Sequence, residues 1–157
     1  EGLNLNLGCG NVLIKRKGWV NGDLNPLSPD VLKLDMSDLP YPDGTIDEVV
    51  SSHSLEHVKN PEQCIKEWCR VLRPGGKLVI AVPNEDKKSE WIGFHLQAFY
   101  ERGQTELEDH HQSFTPDSLL KMVNENGPWQ EVKSSHGMFQ WTLPGKVDWQ
   151  IVLEAVK

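Results

Sequence analysis

The chain has 157 residues, with 16 Lys and Arg against 23 Asp and Glu and a net charge of −7. That length suits one domain, able to bury a core without a disulfide or a metal, and the acidic balance disfavours a partner bound through phosphate neutralisation, so no nucleic-acid surface is expected. The longest apolar run, residues 78–82, is far short of the roughly 20 residues that span a bilayer, so no membrane partner is expected. No basic-then-apolar start marks a signal peptide, and three cysteines (Cys9, Cys64, Cys69) without CxxC spacing fit a reducing, cytoplasmic compartment.

Along the chain, short apolar runs alternate with helical patterns. Residues 3–7, 19–23, 31–34 and 46–52 read as four strands, the last rich in β-branched Ile46, Val49 and Val50. Asn60 then caps a helix, with Pro61 at its first position and Gln63 placed to close a capping box. Ile65, Trp68, Cys69 and Leu72 share one face of that helix, Arg73-Pro74-Gly75-Gly76 ends it, and residues 77–82 form a buried strand. Residues 85–111 hold seven acids against three Lys and Arg, more than half of the net charge, with Trp91, His95, Ala98 and Phe99 at helical spacing. This stretch reads as an insertion that could fold over a site as a lid. Thr115-Pro116-Asp117 caps a further helix with Leu119, Leu120 and Val123 inward, and residues 130–135 and 148–156 read as two last strands. The pattern predicts an α/β fold: an open, doubly wound, mostly parallel sheet with a C-terminal antiparallel strand, in one domain over residues 1–157. Ligands of such sheets lie beyond the carboxyl ends of the strands, where strand order reverses.

Leu7-Gly8-Cys9-Gly10 puts two glycines straight after the first strand, where the backbone can turn tightly and a ligand can approach. The turn does not extend to GxGxxG, because position 13 is Leu13, so a nicotinamide-dependent reductase is opposed. Asp23 ends the second strand and Asp35 follows the third, on neighbouring carboxyl edges of the predicted sheet. A carboxylate for two ribose hydroxyls, with a polar group beside an adenine, makes an adenosyl site. Cys9, Cys64 and Cys69 read as small packing side chains.

The strings LNLGCG, GWVNGDLNP, DVLKLDMSDLPYPDGTIDEVVSSHSLEHV and EWCRVLRPGGKLVIAVPN resemble the class I S-adenosylmethionine-dependent methyltransferases, in particular the type 11 methyltransferase-domain group. The resemblance is dense over residues 3–84 and looser beyond. It implies a Rossmann-like methyltransferase fold and S-adenosylmethionine as cofactor. It places Gly8 and Gly10 along the methionine portion, Asp23 on the ribose hydroxyls, Asp35 and Met36 about the adenine, and Ser52 and His53 beside the sulfonium. Asn6, Cys9 and Leu24 complete the cofactor-binding set. The chain differs from the family pattern at Asn6, where an acid is common, at Val12, where a third glycine is, and in a first crossover too short for a full helix.

His53-Ser54-Leu55-Glu56-His57 spells HxxEH, a zinc-protease motif. Zinc in such enzymes needs both imidazoles on one helical face, whereas here the motif emerges from a strand and Pro61 follows four residues on. The match reads as incidental, with Glu56 in packing, and no metal is expected. The catalytic candidates are His53, His110 and His111, because a hydroxyl or amine acceptor must lose a proton and imidazole can take it near neutral pH. The expected function is methyl transfer to a small-molecule or saccharide-type acceptor by in-line displacement. The alternative is a catalytically silent module that binds S-adenosylmethionine or another nucleoside.

Overall fold

The computed structural model describes residues 2–88, 110–136 and 150–157. Strands β1 (Asn4–Leu7), β2 (Trp19–Asp23), β3 (Leu32–Lys33), β4 (Ile46–Ser52), β5 (Leu72–Pro83), β6 (Glu131–His136) and β7 (Gln150–Val156) form one sheet in the order β3-β2-β1-β4-β5-β7-β6. The first five run parallel, and β7 lies antiparallel between β5 and β6. The expected fold class holds. Strand order reverses between β1 and β4, so the edge just beyond Leu7 and Ser52 is where such a sheet binds ligands.

Period-2 alternation sends Leu5, Leu7, Val49, Leu78, Ile80, Val82, Ile151 and Leu153 into one core. Helices α1 (Pro61–Val71) and α2 (Pro116–Glu125) cover that face with Ile65, Trp68, Leu119 and Val123, all fully buried. Each such side chain contributes about 1.5–3 kcal/mol relative to exposure. Cys64 and Cys69 are buried on α1 as packing residues. Asn60 Oδ1 accepts from the Gln63 amide nitrogen at 3.2 Å, as the cap requires, but the Gln63 side chain reaches the Ser37 carbonyl at 3.5 Å instead of closing a box. The reciprocal box forms on α2, between Thr115 and Ser118.

The third strand is shorter than expected, because only Leu32 and Lys33 pair with β2 while Val31 and Leu34 turn inward. The fifth is longer: Leu72 already pairs with Ile46 before the register shifts across Arg73–Gly76. The RPGG segment therefore lies at the amino edge of the sheet. There Arg73 Nε donates to Asp47 Oδ1 at 2.6 Å, and Asp47 Oδ2 accepts from the Leu3 amide at 2.8 Å. The Trp91–Phe99 stripe and residues 89–109 of the acidic insertion lie outside the described residues.

Side chains stand in for helices in two crossovers. Between β1 and β2, Asn6 Nδ2 donates to the Val12 carbonyl and to Asn21 Oδ1, both at 2.9 Å, while Asn21 also bonds the amide and carbonyl of Ile14. Between β3 and β4, Trp68 Nε1 donates to the Met36 carbonyl at 2.9 Å and Glu67 Oε1 accepts from the Leu39 amide at 2.7 Å. Arg70 adds bonds to the carbonyls of Leu39 and Tyr41 and an ion pair with Asp43. The side-chain bonds from Arg70, foremost, hold the buried Glu67 carboxyl below its ordinary range despite its burial. A depressed carboxylate contributes stability that is present above its unfolded pKa, near 4.3, and is lost as pH falls through the lower folded value. Glu67→Gln should therefore lower stability by about 1.5–3 kcal/mol at pH 7. In urea unfolding the gap to the parent chain should narrow as pH drops below about 4. An equal gap at both pH values would assign the loss to packing alone.

Candidate cofactor and acceptor site

The glycine turn needs glycine for two separate reasons. Gly8 and Gly10 have φ of +63° and +50°, in the left-handed region that side chains disfavour. A Cβ on Gly8 would also fall 2.5 Å from the Ser54 hydroxyl oxygen and 2.8 Å from the Met36 methyl. A Cβ on Gly10 would meet nothing within 4 Å, so the turn opens onto free space at that point. The turn is tied to β2 twice: the Cys9 amide donates to the Gly22 carbonyl at 3.2 Å, and the Gly10 amide to Asp23 Oδ2 at 2.9 Å. Asp23 Oδ1 accepts from the Asn25 amide at 2.9 Å. A carboxylate has about four lone-pair sites, so half-buried Asp23 keeps acceptor capacity for a diol.

The other predicted residues fall around this edge. Met36 reaches back over Gly8, and its backbone is fixed by the Trp68 indole. Asp35 is exposed; hydrogen bonds from the Ser37 hydroxyl and amide hold its carboxyl below the ordinary range and keep it ionised. Leu24 follows Asp23 and is 53% exposed, a large apolar side chain at the ligand edge. Burial first, then the charge of Asp23, pushes the Cys9 thiol up to about 11, so it is no nucleophile at neutral pH. Asn6 is 5% exposed and its amide is spent on Val12 and Asn21, so it shapes the turn from beneath. The buried Ser52 hydroxyl, at the end of β4, has no hydrogen-bond partner among the described residues.

His53 follows Ser52 with φ +51°, a non-glycine residue in the left-handed region, at a cost of about 1–2 kcal/mol. Its amide bonds the Ala81 carbonyl at 2.8 Å, its Nε2 lies 2.9 Å from Gln150 Oε1, and its Nδ1 lies 3.6 Å from Glu56 Oε1. Burial draws the His53 pKa down, but the adjacent Glu56 carboxylate, and then the bond to Gln150, outweigh it and leave the net shift upward. Glu56 and His57 sit on the short 3₁₀ turn Leu55–His57. The chain returns past them at Gln112, whose amide donates to the Glu56 carbonyl at 3.0 Å, and this puts the His110 ring edge-on to His57 with centroids 4.7 Å apart. His111 is exposed.

Sequence reasoning missed Ser54 and Gln150 and read Glu56 as packing. Ser54 donates to the Leu7 carbonyl at 3.3 Å, bonds Ser51 at 2.7 Å and limits the space over Gly8. Gln150, 1% exposed, reaches His53 only because Pro83 pairs with it across β5 and β7. Glu56 and His57 belong to a histidine cluster rather than to packing alone.

A family model described as a methyltransferase domain matches residues 13–80. Over that segment, less than half of its length, the chain is similar to this methyltransferase family. A probable S-adenosylmethionine-dependent methyltransferase of Mycolicibacterium smegmatis is 25% identical over 130 residues, 65% of this chain and 51% of that protein. The chain thus spans about half the length of that relative. Among solved structures, a methyltransferase of Thermotoga maritima, named a possible histamine N-methyltransferase, aligns at TM-score 0.72 and 20% identity, covering 100% of this chain and 83% of its own. A methyltransferase of Archaeoglobus fulgidus aligns at TM-score 0.74 and 17% identity, over 99% and 86%. The family's cofactor is S-adenosylmethionine, and this methyltransferase-fold chain fits it on its own geometry: the open space over Gly10, the acceptor capacity of Asp23 and the unpartnered Ser52 hydroxyl lie at the neighbouring carboxyl ends of β1, β2 and β4. No helix among the described residues is long and apolar enough to cross a membrane.

Proposed function

We propose that the chain transfers a methyl group from S-adenosylmethionine to a small-molecule or saccharide-type acceptor held against the histidine cluster. The observation that carries this reading is the bond from the Gly10 amide to Asp23 Oδ2, which locks the glycine turn and the ribose-type carboxylate into one unit. When bound, the cofactor supplies an activated methyl on a sulfonium with a neutral leaving group. Gly8 and Gly10 give the backbone approach for its methionine portion, Asp23 accepts the ribose hydroxyls, and Asp35, Met36 and Leu24 border the adenine. Ser52 donates its hydroxyl. Alignment of two reactants by such residues lowers a barrier by about 7–11 kcal/mol. His53, His110 and His111 are the groups available to take a proton from the acceptor, a step with a typical gain of 10²–10⁴-fold. The acidic charge of residues 85–111 disfavours a polyanionic acceptor and tolerates neutral or cationic ones, so amines, phenols and saccharides form the test panel.

Calorimetry should show S-adenosylhomocysteine binding more tightly than NAD, and label from methyl-labelled S-adenosylmethionine should pass to at least one member of the panel. Binding without turnover on any acceptor would make the chain a silent cofactor-binding module. Absence of binding would remove both readings.

A further inference from the structure

Glu56, His57 and His110 converge although 53 residues separate the last two in sequence. One ligand-type atom from each lies within 4.8 Å of the others. Glu56 is 2% exposed, and among the described residues its Oε2 has no hydrogen-bond partner. Its Oε1 lies 3.6 Å from His53 Nδ1 and 3.9 Å from His57 Nε2. A buried carboxylate oxygen left unsatisfied costs free energy that a cation beside it would recover. The returning segment that brings His110 here is pinned by Gln112, through its amide to the Glu56 carbonyl at 3.0 Å and its side chain to the Lys59 carbonyl at 3.4 Å.

From this we infer that Glu56, His57 and His110 form a site for a divalent first-row transition metal such as zinc. Two imidazoles and one carboxylate are ligands such ions prefer, and three protein ligands leave a coordination position open, as in catalytic rather than structural zinc sites. At bond lengths near 2.0 Å, tetrahedral ligand atoms stand about 3.3 Å apart. The cluster must close by roughly 1.5 Å, through rotation of the half-buried His57 and His110 rings toward Glu56. The set differs from the protease pattern, because His53 is turned to Gln150 and Glu56 acts as a ligand rather than a base. Ser54, two residues before Glu56, touches the glycine turn, so the open position lies near the cofactor edge. There the ion would take an oxygen or nitrogen of the acceptor, and with His110 spent as a ligand the proton would go to His53 or His111. That placement rests on the methyltransferase reading; the binding of the ion does not.

The test uses the untagged chain, stripped with a chelator and titrated with Zn²⁺ and Co²⁺. Calorimetry should show one equivalent bound per chain, the Co²⁺ form should gain a visible absorption band, and Zn²⁺ should raise the melting temperature. His57→Ala and His110→Ala should each weaken the metal at least about tenfold. Both should keep the parent circular dichroism and bind S-adenosylhomocysteine within about threefold of the parent, less than 1 kcal/mol. His136→Ala, an exposed histidine on β6, should leave metal binding unchanged. No binding, binding unaffected by both cluster variants, or equal loss in His136→Ala would overturn the site, leaving a histidine–carboxylate ion pair or adventitious surface binding. Metal binding without S-adenosylhomocysteine binding would keep the site and remove the proposed function instead.

Discussion

Gly8→Ala is expected to remove most S-adenosylhomocysteine binding and to lower the melting temperature together. Two costs add at that position. A side chain at φ +63° costs about 1–2 kcal/mol. The new methyl would also meet the Ser54 hydroxyl oxygen at 2.5 Å and the Met36 methyl at 2.8 Å. Ser54 cannot yield freely, since it bonds both Ser51 and the Leu7 carbonyl. Overpacking of this kind costs about 1–3 kcal/mol, so the total is about 2–5 kcal/mol, or a fall of roughly 4–20 °C for a chain this long. Gly10→Ala is the matched control: it meets the first cost but not the second, because its Cβ would stand in open space. Thermal melts of the two variants should therefore rank Gly8→Ala well below Gly10→Ala. Equal melts would mean that the turn relaxes, and that Ser54 and Met36 do not confine Gly8.

What the sequence made legible follows from how local each signal is. The glycine turn, Asp23 and Asp35 each sit within a residue or two of a strand end, and the parallel order of strands sets those ends side by side. Their grouping could be read before any contact was known. The capping of α1 by Asn60 was equally local, whereas the side chain of Gln63 answered to Ser37, 26 residues away, and left the capping box open. The absence of a helix between β1 and β2 was visible as a short connection. Its replacement by the Asn6–Asn21 pair was not, because the pairing depends on a register in which Asn6 faces Asn21. The histidine cluster was the least legible. HxxEH reads as incidental because it emerges from a strand rather than lying on a helix; the chain leaves β4 through a left-handed His53 whose Nε2 bonds Gln150, while Glu56 and His57 meet His110. Nothing in the spacing from 57 to 110 announces that meeting; the Gln112–Glu56 backbone bond creates it.

Asp23→Ala separates cofactor binding from folding, which Gly8→Ala cannot do. In the folded chain Asp23 accepts from the Gly10 and Asn25 amides, both near solvent, so water can replace those bonds at little cost in stability. Bonds from ribose hydroxyls to the carboxylate have no such substitute once the ligand covers the edge. Hydrogen bonds to a charged group contribute about 1.5–3 kcal/mol, which corresponds to a loss of about 10- to 150-fold in affinity for S-adenosylhomocysteine. The melting temperature of the free chain should move by no more than a few degrees, about 1 kcal/mol or less. Asp23→Asn should fall between the parent and the alanine variant, since one carbonyl oxygen still accepts while the charge is gone. If calorimetry finds the same affinity in Asp23→Ala as in the parent, Asp23 only braces the glycine turn. The ribose would then have to be held from the exposed carboxylate of Asp35, where Asp35→Ala should produce the loss instead.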